Sequence, residues 1–362
     1  FGQFEAGEDS SGSIDATGGL LHILGLERSE GFRSNLGLVE TSGAARAIAQ
    51  VTLFDESGVN AGTKAFTAET GGLAQINDVF GALGVSPAIT RGRAEIRVTS
   101  GGRLAAYASV VDNTSGDAVF VPGRPSPADN NTLIVAAAAR ADGANGSFWR
   151  TDLNLFNSSA TESRIANLAY LPAGQDGSAA PRRPLTLAPG ESRRLEDVVG
   201  SFFGNSGIGA VWIETSPIGQ GDLIVSGRTY TVDSSGGSYG QFVSARSTSE
   251  ALGAGRTQIL AGAVSTADYR TNAGFVNVSG SRATVTCTLR DAAGTVLGTG
   301  NYVVEPYSLT VVGNIAAALG GGAALSEGRI DFTTDSGTVT GYLSVIDNRT
   351  NDPIMIPSVE AP

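Results

Sequence analysis

Three reactive side chains are nearly missing from this chain of 362 residues, which has one cysteine, Cys287, one histidine, His22, and one lysine, Lys64. A single cysteine rules out an intramolecular disulfide. One cysteine and one histidine are too few for a Cys/His metal cluster or for most nucleophile–base pairs. Paired carboxylates need no such motif and stay open. No apolar run approaches the ~18 residues of a membrane span, and no glycine-rich loop has the spacing that cradles a phosphate. Positive charge is also scarce, with 24 basic residues against 35 acidic ones and a net charge of −11. Without a basic cluster the chain is a poor partner for nucleic acid or an anionic membrane. No cofactor and no membrane insertion are expected. The first residue is not Met, which fits a processed, secreted protein.

What is abundant is glycine, 50 residues of it, together with Ser, Thr, Val and Ala. That mixture favours turns and strands over long helices. It also repeats. "GFRSNLGLVETSG" (31–43), "FWRTDLNLFNSSA" (148–160) and "DYRTNAGFVNVSG" (268–280) share an aromatic residue, Arg, Ser or Thr, then Asn or Asp. Arg33, Arg150 and Arg270 are 117 and 120 residues apart. A second landmark, an aspartate opening a polar turn, falls at Asp112, Asp233 and Asp347, with steps of 121 and 114. Two landmarks at matching spacing predict three units of domain size: 20–123, 124–245 and 246–362.

Inside each unit the period is two. In "ATVTCTLRD" (283–291), Ala283, Val285, Cys287 and Leu289 share one face, and in "ARAIAQVTLFD" (45–55) Ala47, Ala49, Val51 and Leu53 do the same. Such alternation marks strands with one face in a core. About seven short strands per unit, divided by turn signals, predict an antiparallel sandwich. One short helix per unit is expected after Asp78, Asp197 and Asn314, read as N-caps, and before Gly84, Gly204 and Gly320. Cys287 then reads as a small buried hydrophobe. His22, without a counterpart in the other units, reads as a strand residue at an edge or interface.

Residues 1–4, Phe1-Gly2-Gln3-Phe4, resemble Tyr239-Gly240-Gln241-Phe242 near the end of the second unit. Phe4 precedes Arg33 by 29 residues, Phe242 precedes Arg270 by 28, and Phe120 precedes Arg150 by 30. Residues 1–19 therefore read as an orphan last strand followed by a linker. An unpaired strand with two aromatic side chains seeks a sheet edge. Strand donation to another copy would be heterologous and would build an open filament. A strand left over from a longer array, or one folded back on its own chain, fits the same register.

The recurrent pairs Phe32–Arg33, Trp149–Arg150 and Tyr269–Arg270 read as structural, with the ring packed on one side and Arg bonded to a carboxylate or carbonyls on the other. A ligand platform on Trp149 or Tyr269 is the alternative. "DNTSGD" (112–117) and "DNRTND" (347–352) offer oxygens to Ca²⁺ or, equally, the usual turn residues between strands. The middle loop, "DSSGG" (233–237), loses most of those oxygens, which favours turns. Six Asn-x-Ser/Thr sequons occur, at Asn113, Asn130, Asn145, Asn157, Asn277 and Asn348.

With its repeat, its strand count, its [FWY]-R-[ST]-[ND] start and its aromatic-G-Q-F end, the chain resembles the tandem immunoglobulin-like or fibronectin-like β-sandwich repeats of bacterial cell-surface and secreted proteins. The Cys…Trp…Cys signature of antibody domains is absent. The resemblance implies an all-β array, outside the cell or on its surface, that is structural or adhesive and not an enzyme. The expected role is a structural subunit of an extracellular filament or surface layer, a homopolymer joined head to tail through Phe1–Phe4. The alternatives are a ligand- or carbohydrate-binding adhesion array, or a non-catalytic module set from a larger secreted protein.

Overall fold

A computed structural model describes residues 12–125, 132–216 and 221–362. Over these residues the protein is all-β, with several antiparallel sheets and little helix. The expected strand at Phe1–Phe4 lies outside the described residues.

The first span holds β1 (Leu21–Glu27), β2 (Phe32–Glu40), β3 (Ala47–Phe54), β4 (Asn60–Ala68), β5 (Leu73–Ile76), α1 (Val79–Ala82), β6 (Arg91–Gly101), β7 (Leu104–Asp112), β8 (Ala118–Pro122) and β9 (Arg124–Pro125). One sheet runs β4-β3-β6-β1-β9 and the other β5-β2-β7-β8. Their apolar side chains, among them Leu36, Leu38, Val51, Leu53 and Ile96, form one buried cluster.

The second span holds β10 (Thr132–Asp142), β11 (Phe148–Asn157), β12 (Arg164–Pro172), β13 (Arg183–Leu187), β14 (Ser192–Leu195), β15 (Gly207–Ser216), β16 (Leu223–Val232) and β17 (Ser238–Ser247). These make a single sheet in the order β13-β12-β15-β10-β17-β16-β11-β14. The third span holds β18 (Leu252–Gly253), β19 (Gln258–Ser265), β20 (Tyr269–Asn277), β21 (Ala283–Asp291), β22 (Val296–Val304), β23 (Ser308–Val312), β24 (Leu325–Thr334), β25 (Thr338–Asp347), β26 (Pro353–Pro357) and β27 (Val359–Glu360). Here the orders are β22-β21-β24-β19-β27 and β18-β25-β20-β23, with β26 also on β25.

The single sheet of the second span and the paired sheets of the others share one strand order. Strand β17 leaves β16 and continues until Ala245–Ser247 pair with Val135–Leu133 of β10, which joins two half-sheets. In the first span the same path breaks at Gly123, so β8 pairs with β7 and β9 with β1. In the third it breaks at Ser358, so β26 pairs with β25 and β27 with β19. The last strand thus crosses from one sheet to the other each time. These pairings run to Pro125 and Ser247, two residues past the positions that spacing marked as 123 and 245.

The alternation in β21 is as expected, with Ala283, Val285, Cys287 and Leu289 all buried. The helical insert is shorter than one ordinary helix. It is a four-residue turn at α1 and a wide π-type turn at 198–202 and again at 317–321. Asp78, Asp197 and Asn314 precede these turns with left-handed backbones, φ 42°, 46° and 42°. Only Asp78 caps as expected, its Oδ1 accepting from Gly81 N–H at 3.2 Å. The Asp197 carboxylate turns instead to Arg140. Gly84, Gly204 and Gly320 follow with φ of +69°, +69° and +90°, where a side chain would be strained.

Candidate functional site

The recurrent [FWY]-R-[ST]-[ND] segment starts β2, β11 and β20, and its third and fourth residues bond equivalent positions in each span. The first strand of every span has a bulge, between Ile23 and Leu26, Val135 and Ala138, and Ala261 and Ala263. A bulge frees backbone groups from the ladder. Just past the bulge, Ser34 Oγ bonds the backbone of that first strand, donating to Glu27 O at 2.8 Å and accepting from Glu27 N–H at 2.9 Å. Thr271 does the same with Val264, at 2.7 and 2.9 Å, and Thr151 accepts from Ala139 N–H at 2.8 Å.

The fourth residue holds the left-handed turn. Asn35 Oδ1 accepts from Asp78 N–H at 3.1 Å, Asp152 Oδ1 from Asp197 N–H at 2.8 Å, and Asn272 Oδ1 from Asn314 N–H at 2.9 Å. The turn residue is exposed in the third span, so its N–H can fall back on water. Asn272→Ala is therefore expected to cost about 1 kcal/mol, read from the urea midpoint at unchanged m-value.

The arginines are less uniform. Arg33 donates to Asn113 Oδ1 at 2.5 Å, and Arg270 to Asn348 Oδ1 at 2.7 Å and Asn351 Oδ1 at 3.2 Å. Asn113 and Asn348 directly follow the turn aspartates Asp112 and Asp347. The acceptors are amide oxygens, where a carboxylate or backbone carbonyl was expected. In the second span Ser234 stands at that place, and Arg150 instead lies 5.5 Å from the Phe148 ring. The aromatic partners also diverge. Phe32 faces the Arg228 guanidinium at 5.6 Å, Trp149 packs edge-on to Tyr239 at 6.1 Å, and Tyr269 is exposed.

The turn aspartates bond within their own turns. Asp112 Oδ1 accepts from Thr114 and Ser115, Asp233 Oδ1 from Ser235 and Gly237, and Asp347 Oδ1 from Arg349 and Thr350. Among the described residues no group of three or more His, Cys, Asp or Glu is placed to hold a metal ion. Two sequons are closed to modification. Asn157 and Asn277 are fully buried, and their side-chain N–H groups donate to Leu187 O and Ala188 O, and to Ser281 O. Asn130 lies outside the described residues.

The three spans meet at a cleft. A largely apolar cleft of about 510 Å³ is lined from all three, by Phe120 and Pro122, by Leu223 and Phe242, and by Tyr342 and Met355. Beside it, the turn of the first span grips β17. Asp112 Oδ2 accepts from Ser238 N–H and Oγ at 2.8 and 2.7 Å, and Asp117 Oδ2 accepts from Gly240 N–H at 3.1 Å. Asp117 is fully buried. Burial, then the Asp352 carboxylate, push it up to about 7, against the pull of Arg228 at 3.7 Å.

Charged groups also cross between the first and second spans. Arg194 pairs with Asp152 and with Glu27, each at 2.8 Å. Burial opposes both charges. The two carboxylates nevertheless hold Arg194 above its ordinary range, while Asp152, the deeper of the pair, stays somewhat raised despite Arg194. We read the pair as ionised at neutral pH. Arg93 is sandwiched between the Phe54 and Phe156 rings at 4.1 and 3.8 Å, a desolvated cation–π arrangement. His22 packs on Phe156 at 5.1 Å, so it is an interface residue. Burial, then the charge of Arg93, lower it to about 3. Burial raises the Cys287 thiol to about 12, which leaves no thiolate for chemistry at neutral pH.

Sequence reasoning missed Asp117, Arg194 and Arg93. Asp117 ends the DNTSGD turn and the two arginines carry no motif, and local spacing does not show the contacts that all three make across span boundaries.

No family model matches this chain, and no curated protein does. Among solved structures, a protein from Thermotoga maritima, "Thermotoga maritima 1070", aligns with 30% of this chain and 96% of its own, at 11% identity and a TM-score of 0.25. The pilus backbone RrgB from Streptococcus pneumoniae aligns with 94% of this chain and 84% of its own, at 10% identity and a TM-score of 0.14. The similarity to the pilus protein is weak. Among the described residues no helix is long and apolar enough to cross a membrane.

Proposed function

We propose that the chain is a non-catalytic structural building block that acts outside the cell, made of three immunoglobulin-like sandwiches fused into one rigid body. The observation that carries this reading is the use of its polar side chains. Ser34, Thr151 and Thr271 bond the backbone of the first strand of their span, and Asn35, Asp152 and Asn272 hold turns. The single histidine and single cysteine are buried and shifted away from useful protonation states. Arg194 and Asp117 bind one span to the next. In this reading copies build a filament or surface layer.

A second reading, ligand binding, is favoured by the apolar cleft of about 510 Å³, which lies within the size range of small-molecule sites. Electron microscopy and native mass spectrometry of material isolated from its source separate the two. Ordered arrays with no small molecule retained are expected. Dispersed single chains carrying a bound compound would reject the structural reading.

A further inference from the structure

Strand β17 shows how a last strand is held by the spans on either side of it. At Gly240 its backbone N–H is bonded by Asp117 of the first span. At Gln241 its side-chain Oε1 accepts from Ser344 Oγ of the third span at 3.0 Å. Glycine is needed at 240, because a Cβ there would meet Thr229 O at 2.3 Å.

Both parts of this clasp occur a second time. Asp352 has the register of Asp117, since Asp347 N–H donates to Asp352 O as Asp112 N–H donates to Asp117 O. Ser109 has the register of Ser344, since they pair with Asn35 and Asn272 respectively. One belongs to the third span and the other to the first. The two spans approach each other here. Strands β8 and β26 line one cleft, and the Asp352 carboxylate is near enough to act on Asp117. The peptide also has a second copy, with Phe1-Gly2-Gln3-Phe4 matching Tyr239-Gly240-Gln241-Phe242.

The linkers place that copy. After Phe242 the chain reaches Leu252 in ten residues, and Leu252 pairs with Val339. After Phe4 it reaches Ile14, also in ten, and Ile14 pairs with Leu104 through hydrogen bonds of 2.9 and 2.8 Å. Val339 and Leu104 are equivalent, each eight residues before the turn aspartate. The tether from Ile14 back to Phe4 is thus as long as the one from Leu252 back to Phe242, and it is fixed at the equivalent point.

We propose that Phe1–Phe4 docks on its own chain, with Gln3 against Ser109 and the Gly2 N–H directed at Asp352, so that one strand bridges the first and third spans. The bond types are those of β17, a backbone N–H to a carboxylate and a serine hydroxyl to an amide oxygen. This docking is independent of the structural role proposed above, and either can fail alone.

The test uses the full chain with a photoreactive benzoylphenylalanine in place of Phe4, as an equal mixture of ¹⁴N and ¹⁵N protein. Cross-links to residues 118–122 or 353–357, with both peptides of one isotope, are expected. Pairs of mixed isotope would overturn the proposal in favour of a second copy. A second measurement uses residues 9–362, which keep every described residue, and the synthetic peptide FGQFEAGED. Saturable binding is expected, weakened at least tenfold by Gln3→Ala in the peptide or by Ser109→Ala in the protein. A peptide that does not bind, or binds equally well after both substitutions, also overturns it.

Discussion

Replacing Arg194 with alanine is expected to destabilise the protein by about 3–5 kcal/mol, the usual cost of stranding a buried charge. The carboxylate left behind is Asp152, which is 2% exposed. The loss is larger than a surface ion pair would give because water cannot replace the guanidinium there. Glu27 would keep only a distant contact with Arg91, at 3.9 Å. The other spans show how to rescue the change. Asn35 and Asn272 hold the same turn as Asp152 without a charge. Val311, opposite Gly274, occupies the register of Arg194, opposite Asn154. The double change Asp152→Asn with Arg194→Val should therefore lose much less than Arg194→Ala alone. Urea denaturation of the unaltered chain, Asp152→Asn, Arg194→Val and their double change measures the coupling. Additive single and double changes would show that the pair does not act as a unit.

The second large effect is a compensation in pH. Asp117 moves from 3.8 up to about 7 on folding, and His22 from 6.5 down to about 3. Between about pH 4 and 6.5 the native state therefore holds one proton more than the unfolded chain at Asp117 and one fewer at His22. The Asp117 contribution is full below pH 3.8 and is lost as pH rises through 7. The His22 contribution is full above pH 6.5 and is lost as pH falls through 3. At about 1.4 kcal/mol per unit, each is on the order of 4 kcal/mol, and their slopes cancel where the windows overlap. Relative to the unaltered chain, Asp117→Asn should make stability fall as the solution is acidified from pH 6.5 to 4. His22→Leu should make it rise over the same range. Parallel profiles for all three proteins would refute the opposed titrations.

What could be read in the sequence was what repeats locally. The alternation of Ala283, Val285, Cys287 and Leu289 marks a half-buried strand whatever its partners are. The spacing of Arg33, Arg150 and Arg270 located the start of the same strand three times. Yet the contacts that recur belong to the Ser/Thr and Asn/Asp residues that follow, while Arg150 lacks the asparagine that its counterparts use. Registers across turns were harder to see. Matching aromatic residues aligns Phe120 with Phe242. In the structure Tyr107 pairs with Pro122 and Arg228 with Phe242, so Phe242 stands level with Pro122. The middle turn is one residue shorter, closing from Asp233 to Gly237 where the others close from Asp112 to Asp117 and from Asp347 to Asp352. Arg194 and Asp117 were invisible for a different reason. Asp117 bonds Gly240 and Arg194 bonds Glu27 across span boundaries, and spacing along a chain carries no information about packing between its parts.

That shortened turn also means the three spans are not interchangeable bricks. Gly237 stands where its counterparts carry aspartate, and a Cβ there would meet Ser115 at 3.0 Å. Asp117 and Asp352 already repel each other across the junction. A chain rebuilt from three identical copies of the first or third span would press a third carboxylate into the same place, against backbone. Divergence among the copies is thus a condition for their fitting together, and a designer seeking a symmetric version would have to remove these acids first.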